Sequence, residues 1–179
     1  MDIVIRDAGP EEYDAVGELC ARVYLGDGLL TFGADDEYLV ELRDAARRAA
    51  HAELLVAVGT AGGVAGELLG TVTFVGDGGE FANIAREGEA EFRMLAVRPE
   101  ARGRGAGEAL VRECLRRARA RGLKRVIIST QSHMHTAHRL YGRLGFVRAP
   151  ERDWAFLAGH LLHAFAVDLA PRRDQRHNI

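Results

Sequence analysis

A glycine-rich stretch between residues 102 and 107 has the residue types to bind an anion. It reads Arg102-Gly103-Arg104-Gly105-Ala106-Gly107. Glycine lacks a Cβ atom and adopts positive φ, so successive backbone N–H groups can point into one concavity. A helical run follows, from Glu108 to about Arg121, and its first-turn N–H groups and positive dipole end would face the same spot. With two arginines at the rim, the stretch predicts a seat for a phosphate or pyrophosphate.

The elements around this stretch indicate a strand, turn, helix and strand in that order. A strand-like segment, Phe92 to Val97, precedes it, and the β-branched run Val126 to Thr130 is typical of a buried parallel strand. A glycine-rich turn alone is more often a tight connection, but this context favours a ligand site. A Walker loop is excluded because no Gly-Lys-Ser/Thr follows. A dinucleotide fingerprint is disfavoured because Glu108 and Leu110 stand where it needs glycine.

The composition indicates one α/β domain without a strong charge preference for its partners. At 179 residues and 47% apolar content, the chain can bury a single core. We expect this domain to occupy residues 1–170 and a polar C-terminal tail to occupy residues 171–179. Lys and Arg total 24 against 26 Asp and Glu, so no nucleic acid is expected as a partner.

Neither the N-terminal residues nor the cysteines indicate export. Residues 1–6 lack a basic region followed by a long apolar run, and no stretch approaches the ~18 apolar residues of a membrane span. Cys20 and Cys114 lie in apolar helical patterns, which is typical of buried free thiols in a reducing compartment. The sequence therefore predicts a cytoplasmic protein with no membrane partner.

Hydrophobic periodicity and turn residues divide the rest of the chain into strands and helices. Further helices are expected from about residue 10 to 25, from 36 to 51 and from 134 to 144. Further strands are expected at residues 3–6, 54–58, 68–75, 146–148 and 161–169, with a turn at 59–66 and a loop or short strand at 154–157.

Two motifs together resemble the GNAT superfamily of acyl-CoA-dependent N-acyltransferases. Residues 102–107 match its R/Q-x-x-G-x-G/A signature, after a strand that ends Leu95-Ala96-Val97. Residues 137–146, Ala-His-Arg-Leu-Tyr-Gly-Arg-Leu-Gly-Phe, resemble its second signature, A-x-x-x-Y-x-x-x-G-F. The element order is similar over the whole chain, while the specific motifs span about residues 91–147.

The resemblance implies a fold and a binding mode for acetyl-CoA. The fold would be a mixed, mostly antiparallel sheet of about six to seven strands with about four helices, in which strands 4 and 5 are parallel and splayed. Backbone N–H groups of Arg104, Gly105, Ala106 and Gly107 would hold the CoA pyrophosphate, with Arg102 and Gly103 at the edge of the loop. Main-chain groups of Leu95-Ala96-Val97 would pair with the pantetheine arm. The thioester would then lie in the gap between the strands.

The resemblance also implies catalytic residues. Acyl transfer to an amine needs a neutral nucleophile, a stabilised oxyanion and a proton for the departing thiolate. Tyr141 matches the family's proton donor, and the alternative is a tyrosine that packs a helix face. Glu91 matches a strand glutamate that would act as a base through water, with Glu89 as its backup. The alternative for Glu91 is a solvated charge at the sheet edge.

Three histidines near the second motif suggest a metal site, but their spacing argues against one. His133, His135 and His138 cannot all converge on a helix that begins near Met134, and no acid or cysteine completes a set. A surface cluster is favoured, no metal is expected, and His138 is a candidate contact to CoA or substrate. Met134 itself departs from the family, because many relatives carry asparagine there to contact the CoA arm.

Basic residues dominate one face of the helix after the glycine turn. A solvated helix face is favoured over a nucleic-acid stripe, and some of these residues would attract the CoA 3′-phosphate. They are Arg112, Arg116, Arg117, Arg119, Arg121, Lys124 and Arg125.

The predicted activity is direct transfer of acetyl from acetyl-CoA to an amine of a small molecule or a protein N-terminus. No acyl-enzyme is expected, because neither cysteine has an activating neighbour. The acceptor site would be shaped by residues 25–35, the helix near Tyr38, and the loops around Phe81 and Trp154. Two alternatives stay open, namely an acyl-CoA-binding sensor without catalysis and a protein-interaction module. A homodimer also stays open.

Acidic residues predicted near the cleft bear on the acceptor's charge. They favour a cationic small molecule or a protein N-terminus. They are Asp77, Glu80, Glu87, Glu89 and Glu91.

Overall fold

The computed structural model describes residues 2–60, 66–76 and 78–170 of the chain. Most of the predicted turn at 59–66, Asp77 and the predicted tail at 171–179 lie outside these residues. The elements are β1 (Ile3–Asp7), α1 (Tyr13–Gly26), α2 (Tyr38–Arg43), α3 (Ala45–His51), β2 (Glu53–Gly59), β3 (Glu67–Val75), β4 (Glu89–Val97), α4 (Ala106–Ala120), β5 (Arg125–Gln131), α5 (His135–Arg143), β6 (Val147–Arg148), β7 (Trp154–Leu157) and β8 (His160–Asp168).

The strands form one mixed sheet that opens between its two central strands. The order is β1-β2-β3-β4-β5-β8-β6, with β7 paired to β8. Only β4 and β5 are parallel among the strand pairs of the described residues. Their register runs from Glu89 opposite Arg125 to Glu91 opposite Ile127, although both strands continue well beyond it. The predicted fold, including the splayed parallel pair, is confirmed, with the short β6 and β7 raising the strand count to eight.

β4 carries a bulge where the gap opens. Thr71 of β3 pairs with Ala96 but Thr73 pairs with Arg93, so β4 holds an extra residue. Met94 has a φ of 56°, which residues with a side chain rarely adopt. The bulge changes the alternation of the strand, because Phe92 packs beneath α4 whereas Met94 packs with α1 and α2. Bulges commonly re-aim side chains next to functional sites.

Helices cover both faces of the sheet. α4 buries an apolar stripe at helical spacing, which includes Leu110, Cys114 and Ala118, against residues of β3, β4 and β5. On the opposite face, α1 meets α2 closely at Gly17. A Cβ atom there would lie 2.2 Å from the carbonyl oxygen of Arg43, so this contact requires glycine.

The helix predicted over residues 36–51 is wrong as a single element, because it breaks at Asp44. Asp44 leaves helical geometry, with φ −83° and ψ 66°, and its carboxylate accepts the backbone N–H of Arg47. Such a local side-chain bond competes with the helical ladder. The buried Arg48 also donates to the carbonyl oxygen of Leu42, 2.6 Å away, at the end of α2. The apolar periodicity runs through the break, so the pattern did not predict it.

The basic face of α4 is largely paired with carboxylates. Arg112 bonds to Glu108, and Arg116 to Glu113. Arg117 reaches Glu113 on its own helix and also Asp7 and Glu53 on β1 and β2. This pairing favours the solvated helix face over a nucleic-acid stripe. Within residues 2–60, 66–76 and 78–170, no helix has the length and apolar character needed to span a bilayer.

Candidate active site

The glycine-rich stretch forms the turn that leads into α4. Gly103 and Gly105 have φ values of 75° and 89°, and Gly105 is the residue immediately before the helix. The helical ladder begins with the N–H of Ala109 bonding to the carbonyl of Gly105 at 3.0 Å. The N–H groups of residues 106–108 therefore precede the ladder, which is the arrangement that binds anions at a helix start.

A cleft of about 730 Å³ occupies the gap between β4 and β5. The glycine turn lines one end of it, β4 contributes Leu95 and Val97, and α5 and the end of α1 form the remaining walls. The side chain of Ala96 lies on the other side of β4, in the cluster with α1 and α2. Arg104 is half-buried and is not among the residues that line the cleft.

Arg102 forms an ion pair across the mouth of the cleft. Its guanidinium lies 2.7 Å from the carboxylate of Asp27, at the end of α1. Both residues line the cleft, and both side chains are more than one third exposed. An exposed pair of this kind is weak, so Arg102 can exchange Asp27 for an anionic ligand at small cost.

Tyr141 lies inside the cleft and is held by two aromatic rings. It is 4% exposed, and its ring centroid lies 5.8 Å from that of Phe92 and 5.6 Å from that of Phe146. Burial, with a smaller effect from Cys114, raises the pKa of the phenol well above its ordinary value. The phenol therefore keeps its proton at neutral pH. The structure thus brings Tyr141 to the same cleft as the glycine turn.

Tyr24 of α1 also lines the cleft, and the sequence analysis missed it. Burial raises the pKa of its phenol. The neighbouring Tyr38, Cys20 and Tyr141 raise this pKa further, and Arg93 acts to lower it. Its ring also lies 6.1 Å from that of Tyr38. Tyr24 lies on the helix predicted over residues 10–25, but no local motif marks it as a site residue. The cleft that it lines forms only when α1 packs on β4.

Glu91 is buried and is not a solvated edge charge, so that alternative is wrong. It is 1% exposed, and one carboxylate oxygen accepts the backbone N–H groups of Asn83, Ile84 and Ala85 at 2.9 to 3.1 Å. The carboxylate therefore anchors the loop before β4. Glu91 is not among the residues that line the cleft, so its role as a base stays a prediction.

Glu89, the backup base, is committed to an ion pair. Its carboxylate accepts two hydrogen bonds from Arg152, at 2.9 and 3.2 Å, and one from the backbone N–H of Arg86. Burial acts to raise the pKa of Glu89, but the bonds from Arg152 and Arg86 hold it below the ordinary value. The structure places this pair away from the residues that line the cleft.

His138, the candidate contact to CoA or substrate, turns its ring toward the sheet. Its Nε2 lies 2.8 Å from the hydroxyl of Thr130, and its ring lies 4.9 Å from that of Phe165 on β8. Burial, with His135 and His163, lowers its pKa. His138 is not among the cleft residues. The described residues hold no group of three or more side chains that could bind a metal.

Met134 and Gln131 tie the end of β5 to the cleft wall. The backbone N–H of Gln131 lies 3.4 Å from the sulfur of Met134, and the Gln131 side chain donates to the carbonyl oxygen of Leu29 at 2.7 Å. Met134 and Leu29 both line the cleft. This contact supports the expectation that the loop over residues 25–35 shapes the site.

Several solved structures share this fold. A phosphinothricin acetyltransferase from Sinorhizobium meliloti in complex with acetyl-CoA has a TM-score of 0.69 at 21% identity, over 97% of this chain and 95% of that chain. A GCN5-related N-acetyltransferase from Kribbella flavida has a TM-score of 0.67 at 22% identity, over 93% of this chain and 98% of that chain. A ribosomal-protein-alanine N-acetyltransferase from Brucella melitensis has a TM-score of 0.65 at 19% identity, over 93% of this chain and 99% of that chain. No curated protein sequence matches the chain.

The splayed sheet and the glycine-turn cleft define this protein as an α/β acetyltransferase domain. A model of the Acetyltransferase (GNAT) family matches residues 23–146, which is more than half of the chain. The chain belongs to the GNAT acetyltransferase family. The predicted resemblance is confirmed.

Proposed function

We propose that this protein is an N-acetyltransferase that transfers acetyl from acetyl-CoA directly to an amine, with both substrates bound together. The observation that carries this proposal is the cleft between β4 and β5, which joins the glycine turn at one end to Tyr141 within it. An anion seat and a buried proton donor in one cleft are the parts that acyl transfer from a thioester needs.

The glycine turn fits the pyrophosphate of acetyl-CoA. Open space surrounds the positions that Cβ atoms on Gly103 and Gly105 would take, with no atom within 4 Å. The N–H groups of Gly105, Ala106 and Gly107 would hold the phosphates, and Arg102 would add charge at the rim. Main-chain groups of Leu95 and Val97 would hold the pantetheine arm along β4. Acetyl-CoA supplies an activated acyl group when it is bound there.

Tyr141 would protonate the departing thiolate. Burial raises the pKa of its phenol, so the phenol carries a proton at neutral pH, while the same shift makes it a weaker acid than a free tyrosine. The packing of Phe92 and Phe146 against its ring fixes its position. A fixed donor avoids the ordering cost that a mobile side chain would add.

Direct transfer is favoured over a covalent enzyme intermediate. Cys20 and Cys114 are both fully buried, and burial raises the pKa of each thiol. Neither lies among the residues of the cleft. Thiols that stay protonated and out of reach are poor nucleophiles, so the amine itself attacks the thioester.

The test combines turnover with binding. Thiol release from acetyl-CoA is measured with a panel of primary amines, comprising small molecules and peptides with a free N-terminus, and CoA binding is measured by calorimetry. We expect CoA binding and amine-dependent thiol release, with N-acetylated product by mass spectrometry. CoA binding without turnover of any amine would favour the sensor, and absence of binding would favour the interaction module.

A further inference from the structure

Arg93 occupies a position from which a cation can reach an acceptor. It precedes the bulge at Met94, lines the cleft and is half-buried. Its neighbour Phe92 packs against Tyr141 on the opposite side of β4. Arg93 therefore lies next to the residue that contacts the proposed proton donor, but on the face covered by α1 and α2.

Neutral oxygens are the partners of the Arg93 guanidinium. It donates to the carbonyl oxygen of Phe81 at 3.1 Å, and it lies 3.5 Å from the hydroxyl of Tyr38. No carboxylate among the described residues forms an ion pair with it. A guanidinium has five N–H donors in a fixed fork. These two contacts therefore leave N–H donors of Arg93 that can bind a ligand.

Three of the five acidic residues that were expected to make the cleft anionic have partners elsewhere. Glu91 anchors the loop before β4, and Glu89 pairs with Arg152. Glu80 pairs with Arg47 and His51. These three carboxylates and that of Glu87 are absent from the cleft lining, and Asp77 lies outside the described residues. The expectation of a cationic acceptor therefore loses its support, and the charge of the cleft near the bulge is set by Arg93.

Two phenols complete the polar surface around Arg93. Tyr38 contacts the guanidinium, and Tyr24 interacts electrostatically with both Arg93 and Tyr141. A cation with neutral hydroxyl donors beside it can hold a carboxylate by charge-assisted hydrogen bonds. The Arg93 guanidinium would repel a second ammonium group on an acceptor.

We infer that the acceptor is an amine that also carries a carboxylate, and that Arg93 binds this carboxylate while the amine faces the thioester. The inference rests on the proposed N-acetyltransferase function and names its substrate class. Aminocarboxylates of amino-acid size are the acceptors that this arrangement fits. The acceptor carboxylate would not have to displace a protein carboxylate, because none pairs with Arg93 among the described residues.

The experiment compares acceptors that differ only in the carboxylate. Each L-amino acid of a panel is assayed beside its carboxamide, by thiol release from acetyl-CoA, with wild type, Arg93→Met and Arg93→Lys. The matched control is Arg22→Met, which removes an exposed arginine of α1 outside the cleft. Amine basicity differs between an acid and its amide, but it cancels when the acid-to-amide ratio of kcat/KM is compared between variants.

We expect wild type to have a higher kcat/KM for the acid than for the amide. Arg93→Met should lower kcat/KM for the acid by about 10- to 100-fold, mainly by raising KM. It should change kcat/KM for the amide by less than about twofold. Arg93→Lys should retain part of the preference, because it keeps the charge and loses the fork. Arg22→Met should match wild type. A purely structural role for Arg93 would instead lower turnover of the acid and the amide equally.

A binding measurement separates this inference from the proposed function. N-acetyl amino acids and their amides are titrated by calorimetry into the CoA-loaded protein, and wild type should bind the acids more tightly than Arg93→Met does. Turnover of amines without any carboxylate preference would overturn this inference and leave the proposed function standing. No turnover of any amine would overturn the proposed function and this inference with it.

Discussion

At the scale of single residues, Tyr141 and Glu91 differ in what their surroundings allow. Both are buried, but Tyr141 lines the cleft, whereas the carboxylate of Glu91 is engaged by three backbone N–H groups outside the cleft lining. The geometry therefore supports a chemical role for the phenol, and an anchoring role for the carboxylate.

Replacing Tyr141 with phenylalanine removes the proposed proton donor and leaves its aromatic packing. We expect kcat to fall by about 100- to 10,000-fold, the range of general acid catalysis, with CoA affinity unchanged by calorimetry. Tyr13→Phe is the control, because it removes a phenol that packs with α1 and β2 residues away from the cleft. An unchanged kcat in Tyr141→Phe would remove the acid role.

Replacing Glu91 with glutamine distinguishes anchoring from base catalysis. Anchoring predicts a loss of about 1 to 3 kcal/mol in the free energy of unfolding, since backbone N–H groups lose a charged acceptor, and a pH–rate profile that keeps its acidic limb. We expect this result from denaturant unfolding and steady-state kinetics. Near-normal stability together with loss of the acidic limb would instead establish Glu91 as the base.

At the scale of elements, the site depends on how the turn enters α4 and on how β4 leaves β5. The turn needs positive φ at Gly103 and Gly105, which the glycine spacing predicted. β4 separates from β5 beyond Glu91, close to a bulge at Met94, a residue type that gives no local sign of positive φ. The turn was therefore predictable from the sequence and the bulge was not.

Replacing Gly105 with alanine tests the turn. At φ 89° a side chain costs about 1 to 2 kcal/mol in backbone strain, and relief of that strain would shift the N–H groups that are proposed to hold the pyrophosphate. We expect CoA affinity to fall by about tenfold by calorimetry, the effect of losing one charge-assisted hydrogen bond.

The control for this variant is Gly122→Ala, which has a φ of 71° and also meets open space, but lies beyond the other end of α4. It should lower stability similarly and leave CoA affinity unchanged. Equal CoA affinity in the two variants would argue against the glycine turn as the phosphate seat.

At the scale of the whole molecule, ion pairs join α4 to strands far away in the sequence. Arg117 of α4 bonds to Glu113 on the same helix, to Asp7 of β1 at 3.0 Å and to Glu53 of β2 at 2.8 Å. Hydrogen bonds from Arg116, opposed by partial burial and reinforced by Arg117, lower the pKa of Glu113 from 4.5 to about 2. This network fixes the helix that begins at the glycine turn against β1 and β2, two neighbouring strands at one edge of the sheet.

Glu113 should make stability depend on pH in a defined window. Because its pKa is lower in the folded protein, its contribution is present above pH 4.5 and is lost as the pH falls toward 2. We expect Glu113→Gln to lower the free energy of unfolding by about 1 kcal/mol at pH 7, since the site is partly solvated. The difference from wild type should shrink as the pH falls from about 4.5 toward 2 in denaturant unfolding.

Glu108→Gln is the control for this network, because Glu108 pairs only with the exposed Arg112 among the contacts seen for it in the described residues. It should leave the free energy of unfolding nearly unchanged at each pH. A difference for Glu113→Gln that stayed constant with pH would contradict the assignment.

The sequence by itself determined the family, the donor and the candidate proton donor. The glycine turn and the second motif are local, because each is set by the conformation and spacing of residues close in the chain. Periodicity predicted the positions of most strands and helices along the chain. Tertiary structure alone decided the surroundings of the titrating groups. It buried Glu91 under residues 83–85, turned His138 to the sheet, and brought Arg93 to Tyr38, 55 residues away in the chain. Such contacts depend on how elements pack at long range, which no local pattern encodes.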